Sequence, residues 1–291
     1  MIFEGSAVAL VTPFDKNNNV DYFELKNLIE FQIASGTKAI IILGTTGESA
    51  TISKSERTEI IRFCVCIVSH RVPLIVGTGS NSTIASINLT KEAETLGADG
   101  VLIVTPYYNK CNQQGLFEHY KAIANSTNLP IILYNVPSRT GVNVSPETAI
   151  RLSKIKNIVG IKEASGNISQ IKEILSRHLK NFYVYSGDDG LTLPLISLGA
   201  KGVISVTANV KPAEVQYLCQ FALSNDYFNA KRWDCYLHKL NTALFLDVNP
   251  ICVKYYLNLM GFSVGKPRLP LTEPNLKIKT KLKEIKKLYE T

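Results

Sequence analysis

Short apolar runs rich in valine and isoleucine recur along the chain, at 6–12, 39–44, 73–78, 100–105, 131–135, 158–162, 182–186 and 202–206. They are near-continuously hydrophobic, as parallel strands buried on both faces are. Between them lie amphipathic stretches. The first, 22–35, carries Leu25, Leu28, Ile29 and Gln32 at helical spacing. The second, 53–70, opens on Ser53 with Glu56 three positions later, a capping box by sequence. Further helical patterns cover 82–96, 115–125, 145–154, 168–178, 191–198 and 211–223. Gly36, Gly97 and Gly199 each stand just past a helix, where a left-handed C-cap is expected.

Eight strand–helix units in succession predict right-handed crossovers closing into a (β/α)8 TIM barrel, an α/β fold. The alternative, an open doubly wound sheet, should carry GxGxxG or GxxxxGK[ST] after its first strand. The turn here reads TPFDKNNN. After Asp226 the pattern changes to three helices, 227–246, 250–260 and 275–289, with Pro267, Pro270 and Pro274 in the loop before the last. The expected organisation is a barrel over 1–225 and a C-terminal helical appendage over 226–291.

Of 291 residues, 45% are hydrophobic and 19% charged, enough apolar material for a sizeable core and inconsistent with intrinsic disorder. No run approaches the ~20 apolar residues of a spanning helix. The net charge of +8 invites a nucleic-acid reading, but its location argues otherwise. Residues 276–291 hold six lysines against Glu284 and Glu290, a net of +4 and half the excess. The rest is dispersed, without an arginine stripe or aromatic–basic interleaving, so the tail reads as a solvated helix face. Neither a nucleic-acid nor a membrane partner is expected.

Cys64, Cys66, Cys111, Cys219, Cys235 and Cys252 form no CxxC, and no second pair completes a zinc spacing. Cys64 and Cys66, two apart in a helical stretch, point to different faces. The opening MIFEGSAVALVTPFD has neither a basic n-region nor a cleavage site. A reducing cytoplasm with free, mostly buried thiols is expected. His70, His119, His178 and His238 are scattered on helices or their ends, which argues against a histidine metal site or triad.

A barrel gathers its chemistry at the C-terminal ends of its strands. Those ends carry Thr12, Gly44-Thr45-Thr46-Gly47-Glu48, Thr78, Thr105-Pro106-Tyr107-Tyr108-Asn109, Tyr134-Asn135, Lys162-Glu163, Ser186-Gly187-Asp188-Asp189 and Thr207-Ala208-Asn209. Lys162 is the one lysine inside a strand run. Apolar surroundings favour a neutral amine, the form that attacks a ketone to give a Schiff base. The alternative is a lysine paired with a neighbouring carboxylate such as Glu163. Tyr134, ending the preceding strand, either moves protons above Lys162 or fills the mouth. The glycine-flanked Thr45-Thr46 turn can bind a small carboxylate through backbone N–H groups, a weak signal alone. Arg139 either clamps a carboxylate in bidentate fashion or lies on the surface. Tyr107 and Tyr108 must point differently, one towards a site or a subunit contact.

Taken together, GTTGESATI at 44–52, VTPYYN at 104–109, YNVPSRTG at 134–141, GIKEASGN at 160–167, YSGDD at 185–189 and GVISVTAN at 202–209 are specific in this order. The chain resembles the dihydrodipicolinate synthase family of pyruvate-dependent class I aldolases over nearly its whole length. The resemblance implies a lyase in which Lys162 forms an imine with pyruvate. Tyr134 would donate and accept protons, linked through Thr45 to Tyr108 of a neighbouring subunit. Thr46, with Thr45, would hold the pyruvate carboxylate, and the carbonyls of Gly187 and Ile204 would shape the pocket. Arg139 would bind the carboxylate of L-aspartate 4-semialdehyde. The product would be 4-hydroxy-tetrahydrodipicolinate, on the way to diaminopimelate and lysine. Neither a metal nor an organic cofactor is implied, and the family is commonly a homotetramer, a dimer of dimers.

Two competitors share the fold. A sister aldolase for another aldehyde, such as N-acetylneuraminate lyase, would keep Lys162, but Thr46 and Arg139 favour the synthase. A catalytically idle paralogue would have lost Lys162, Tyr134, Thr45 or Tyr108, and all four are present. In lysine-inhibited members the effector lies near the positions of Ser49, Ala50, Asn81 and Tyr107. Where two histidines and a glutamate commonly complete that site, this chain has Lys54, Arg57 and Ala85. Added positive charge and a lost carboxylate imply weak or absent inhibition by lysine.

Overall fold

A computed structural model describes residues 1–289; Glu290, counted above against the tail lysines, lies outside them. The apolar runs form eight parallel strands: β1 (Gly5–Ala9), β2 (Ala39–Ile42), β3 (Leu74–Gly77), β4 (Gly100–Val104), β5 (Ile131–Asn135), β6 (Ile158–Glu163), β7 (Tyr183–Ser186) and β8 (Gly202–Ser205). They pair in sequence order and β8 closes onto β1, completing a (β/α)8 barrel. Most end one to three residues before the apolar run does, because the last positions leave the ladder to form the polar mouth.

Side chains alternate along each strand. Val8, Ile40, Ile42, Val76, Ile103, Leu133, Ile161 and Val184 face outward into one continuous core beneath the helices. Ala7, Ala9, Ile41, Ile75, Leu102, Ile132 and Ile204 face inward and fill the barrel. At its floor the Phe3 ring stacks on Tyr185 with centroids 4.3 Å apart. The Tyr185 hydroxyl donates to the Phe3 carbonyl at 2.8 Å, so the phenol is buried without an unpaired group.

The outer ring consists of helices Tyr22–Ala34, Lys54–Val68, Thr83–Thr95, Gln113–Ala124, Pro146–Leu152, Ile168–Ser176, Thr192–Ser197 and Pro212–Leu223. Ser53 and Glu56 form the expected capping box. Gly36, Gly97 and Gly199 have φ of 85°, 93° and 110°, the left-handed backbone that a C-cap requires and a Cβ disfavours. Cys64 is buried and Cys66 exposed, on different faces as expected. Only Cys64, Cys219 and Cys252 are buried, however, so the thiols are less uniformly hidden than the sequence suggested.

Three helices follow, Tyr227–Ala243, Ile251–Leu259 and Leu276–Lys287. The first stops short of 246, and beyond it Asp247 accepts the Val248 N–H before Pro250. The freed segment runs to the barrel mouth. On the last helix Leu282 and Ile285 are buried while Lys277, Lys281, Lys283 and Lys287 are exposed, the solvated face expected of the basic tail.

Candidate active site

The strand alternation that builds the core also sorts the motif residues. On β5 and β6 the Cα partners are Tyr134 with Lys162 and Asn135 with Glu163. Tyr134 and Lys162 turn into the barrel, and Lys162 Nζ stands 4.3 Å from the centroid of the Tyr134 ring. Lys162 is 5% exposed, and it forms no ion pair among the described residues.

Asn135 and Glu163 turn outward. The buried Glu163 carboxylate accepts from Asn135 Nδ2 at 3.1 Å, the Ser165 N–H at 2.8 Å and Gln170 Nε2 at 3.2 Å. Burial raises its pKa, and these donors oppose the shift. A Lys162–Glu163 pair is therefore overturned: adjacent strand residues face opposite sides, and Glu163 is a scaffold group satisfied by amides. Asp189 plays the same part at the next junction. It accepts the Val206 and Thr207 N–H groups at 3.0 and 3.1 Å and the Ser205 hydroxyl, fastening β7 to β8.

Gly187 follows β7 beside the lysine arm. A Cβ there would stand 3.1 Å from Lys162 Cε and 2.7 Å from the Ala164 Cβ, so only glycine leaves the arm its room. Ile204 is fully buried on the inner face of β8.

Beside the Tyr134 ring opens a cleft of about 610 Å³, lined by Thr45, Tyr134, Arg139, Tyr107, Val248 and Asn249 among others. The GTTG turn closes on itself, with the Glu48 N–H donating to the Thr45 carbonyl at 3.1 Å. Thr12 Oγ1 donates to the Gly47 carbonyl at 2.7 Å, tying the turn to the end of the first apolar run. Thr45 faces the cleft, whereas Thr46 is buried with its Oγ1 accepting from Asn249 Nδ2 at 2.9 Å.

Arg139 sits on a single helical turn, Pro137–Thr140, that the sequence did not reveal. Proline at its start and Gly141 in a left-handed C-cap, φ 70°, delimit the turn. Thr105 Oγ1 donates to Thr140 Oγ1 at 2.9 Å and anchors it to the end of β4. Arg139 Nη2 then donates to the Asn249 carbonyl at 3.2 Å, directing the guanidinium across the mouth.

Tyr107 enters the cleft and Tyr108 does not. Tyr108 is 91% exposed with φ 70°, a backbone state unusual for a bulky residue. The structure of one chain thus brings Lys162, Tyr134, Thr45, Thr46, Arg139, Gly187 and Ile204 to one end of the barrel and leaves Tyr108 pointing outward.

Sequence reasoning missed the groups that hold the turn. The carboxylate of Glu48 is buried and accepts from Lys254 Nζ at 2.8 Å and the Arg268 N–H at 2.8 Å. Lys254, fully buried, also donates to the carbonyls of Thr12 and Lys266 at 3.0 and 3.1 Å. Lys254 Nζ and the Arg268 guanidinium each stand 4.1 Å from the centroid of the Phe14 ring. Burial lowers the Lys254 pKa to about 8 against the pull of Glu48. The available signal was the one charged residue in the largely apolar helix Ile251–Leu259.

Lys54 and Arg57 line the Tyr107 end of the cleft. Arg57 is buried, donates to the Gly77 carbonyl at 2.9 Å and lies 3.6 Å from Glu92. Burial lowers its pKa to about 10.

A model of the dihydrodipicolinate synthetase family matches residues 2–288. A relative named 4-hydroxy-tetrahydrodipicolinate synthase, from Geotalea uraniireducens strain Rf4, is 51% identical over 288 residues, covering 99% of each chain. Crystal structures of dihydrodipicolinate synthase from Aquifex aeolicus and Thermotoga maritima are similar too, each with a TM-score of 0.97. The first is 47% identical, covering 99% of this chain and 98% of its own; the second is 44% identical, covering 100% and 99%.

Proposed function

The chain belongs to the dihydrodipicolinate synthetase family, and on that premise we propose that it condenses pyruvate with L-aspartate 4-semialdehyde to give 4-hydroxy-tetrahydrodipicolinate, in the route to diaminopimelate and lysine. The observation that carries the reading is Lys162, a buried amine without an ion partner among the described residues, facing the Tyr134 ring at the mouth of the barrel.

Lys162 Nζ adds to the keto carbon of pyruvate, and loss of water leaves a protonated imine. That cation draws electrons from the methyl group, which gives up a proton and becomes an enamine. The enamine carbon attacks the aldehyde of the second substrate. The amino group of the semialdehyde then adds to the imine carbon and displaces Lys162, which returns free as the ring closes.

Tyr134 carries protons to and from the carbinolamine oxygen, linked through Thr45 to Tyr108 of the partner subunit. The N–H groups of the Thr45-Thr46 turn hold the pyruvate carboxylate. The carbonyls of Gly187 and Ile204 shape the wall beside the imine. Arg139 takes the carboxylate of the semialdehyde, a charge-assisted contact that a sugar aldehyde without that group would not make.

The exposure and left-handed backbone of Tyr108 support a site shared between subunits, in a homotetramer built from two tight dimers. No helix of the described residues is long and apolar enough to cross a membrane, and we place the enzyme in the cytoplasm. We divide the chain at 225/226, where Asp226 caps helix Tyr227–Ala243, although the later segment completes the site through Asn249 and Lys254.

The test is pyruvate consumption with aspartate semialdehyde or N-acetylmannosamine offered separately, beside a Lys162→Ala control. Consumption with the semialdehyde alone, abolished in the control, is the expected result. Consumption with the sugar alone would keep the imine and overturn the substrate assignment.

A further inference from the structure

The cleft is charged unevenly. Four of its lining residues are ionic, Glu48, Lys54, Arg57 and Arg139. The Glu48 carboxylate is spent on Lys254 Nζ and the Arg268 N–H, whereas Lys54 and Arg139 form no ion pair among the described residues.

Arg57 is 6% exposed, yet only Nη2 of its guanidinium meets a hydrogen-bond acceptor among the described residues, the Gly77 carbonyl at 2.9 Å. Nε is buried without a hydrogen-bond partner. Glu92 stands 3.6 Å from it, near enough to share charge and too far to take the proton, and its other oxygen accepts from Thr58 Oγ1. Arg268, buried to a similar degree, shows the contrast: all three of its guanidinium nitrogens donate, to Asn18, Thr51 and Glu56. Buried cationic donors left without acceptors are costly.

The groups around Arg57 are donors as well. Lys54 lies three residues before it, at the start of helix Lys54–Val68, the end that carries the partial positive charge of the helix. The hydroxyls of Ser49 and Tyr107 line the same end and are bonded to no other described residue. Glu92 stays behind Arg57, outside the cleft lining. The charge that disfavours a lysine ammonium here is the charge an anion needs.

We infer that the Tyr107 end of the cleft is an anion site, in which the Arg57 guanidinium and the Lys54 ammonium bind a small carboxylate- or phosphate-bearing molecule, with the Ser49 and Tyr107 hydroxyls as further donors. It is separate from the Thr45-Thr46 turn and Arg139, assigned above to the two substrates, and does not rest on that assignment.

The probes are sodium phosphate and sodium succinate, titrated separately into the full-length protein at constant ionic strength, with affinity read by calorimetry. Saturable binding of at least one is expected. Arg57→Gln should weaken it about tenfold, the loss of a charge-assisted hydrogen bond. Arg57→Lys keeps the charge without the planar fork and should fall between wild type and Arg57→Gln. Lys54→Gln, at an exposed position, should weaken it about threefold, and Lys54→Glu, which replaces attraction by repulsion, about tenfold. Arg139→Ala should leave the affinity within about twofold of wild type. So should borohydride reduction of the pyruvate imine to a secondary amine on Lys162, which fills the catalytic end.

Saturable binding that weakens in this order supports the site, and the tighter probe identifies the head group it takes. Absence of saturable binding of either probe to wild type would overturn the inference. Shifts below about twofold in both Lys54 variants would overturn it too, and these exposed substitutions decide alone if Arg57→Gln fails to fold. Binding lost in Arg139→Ala or after borohydride reduction would place the anion at the catalytic end and overturn the separate site.

Discussion

Replacing Lys254 by methionine tests whether the C-terminal segment holds the Thr45-Thr46 turn, which we propose seats pyruvate. The Lys254 and Glu48 side chains are 0% and 1% exposed, so solvent does not screen their contact. Methionine fills most of the volume but removes the ion pair and the bonds to Thr12 and Lys266. Glu48 would then keep one donor, the Arg268 N–H. Removing one partner of a buried pair costs about 3–5 kcal/mol, chiefly the penalty of the charge left behind. That is a large share of the ~5–15 kcal/mol that stabilises a typical fold. At roughly 2–4 °C per kcal/mol, thermal unfolding should shift down by about 6–20 °C. Glu48→Gln in the same protein removes the stranded charge, so the double variant should recover much of the loss. The turn also bears on binding, because Glu48 sits in left-handed backbone, φ 54°, directly after Gly47. Its release should raise the pyruvate concentration needed for half-maximal imine trapping. A Lys254→Met protein melting within about 2 °C of wild type, or a double variant less stable than the single, would refute the reasoning.

Arg139→Ala should raise the KM for the semialdehyde by about a hundredfold and leave pyruvate trapping unchanged, read from initial rates and borohydride trapping side by side. His119, whose Nε2 is buried and unpartnered among the described residues, has its pKa lowered by burial to about 4 from 6.5. The unfolded chain therefore binds the extra proton first, so the stability held above pH 6.5 is lost as pH falls from 6.5 to 4, by about 3 kcal/mol; an uncharged His119→Gln protein showing the same loss between pH 7.5 and 5 would refute this. Tyr108→Ala and Lys162→Ala proteins should each be inactive, and co-refolding them should restore about a quarter of wild-type turnover, since each mixed dimer holds one intact site; no restoration would place Tyr108 in its own chain. Lysine should inhibit weakly or not at all, because Lys54 and the buried Arg57 bring positive charge to the Tyr107 end of the cleft; inhibition of initial rates at low lysine concentration would contradict this.

The barrel was legible because its strands are buried on both faces and its helices begin and end on ordinary capping residues, Ser53 and Gly97 among them. The placement of Lys162 and Tyr134 at the barrel mouth was legible because a polar residue that ends an apolar run stands out at a strand end. The alternative pairing of Lys162 with Glu163 fails because nearness in sequence is not nearness in a strand, where neighbours face opposite sides. The remainder was hidden by distance along the chain. Asn249 meets Thr46 across 203 residues and Lys254 meets Glu48 across 206, and neither contact leaves a periodic trace. Charge alone offered a way in. Glu48 lies in a turn without another ionisable group between Gly44 and Ala50, and Lys254 is the one charge in helix Ile251–Leu259. A carboxylate or an ammonium buried by itself is costly enough to unfold a domain or discharge itself. Glu48 and Lys254 meet that cost by pairing, whereas Glu163 meets it through amide donors. That pair brings the C-terminal segment over the barrel mouth, across 206 residues of chain.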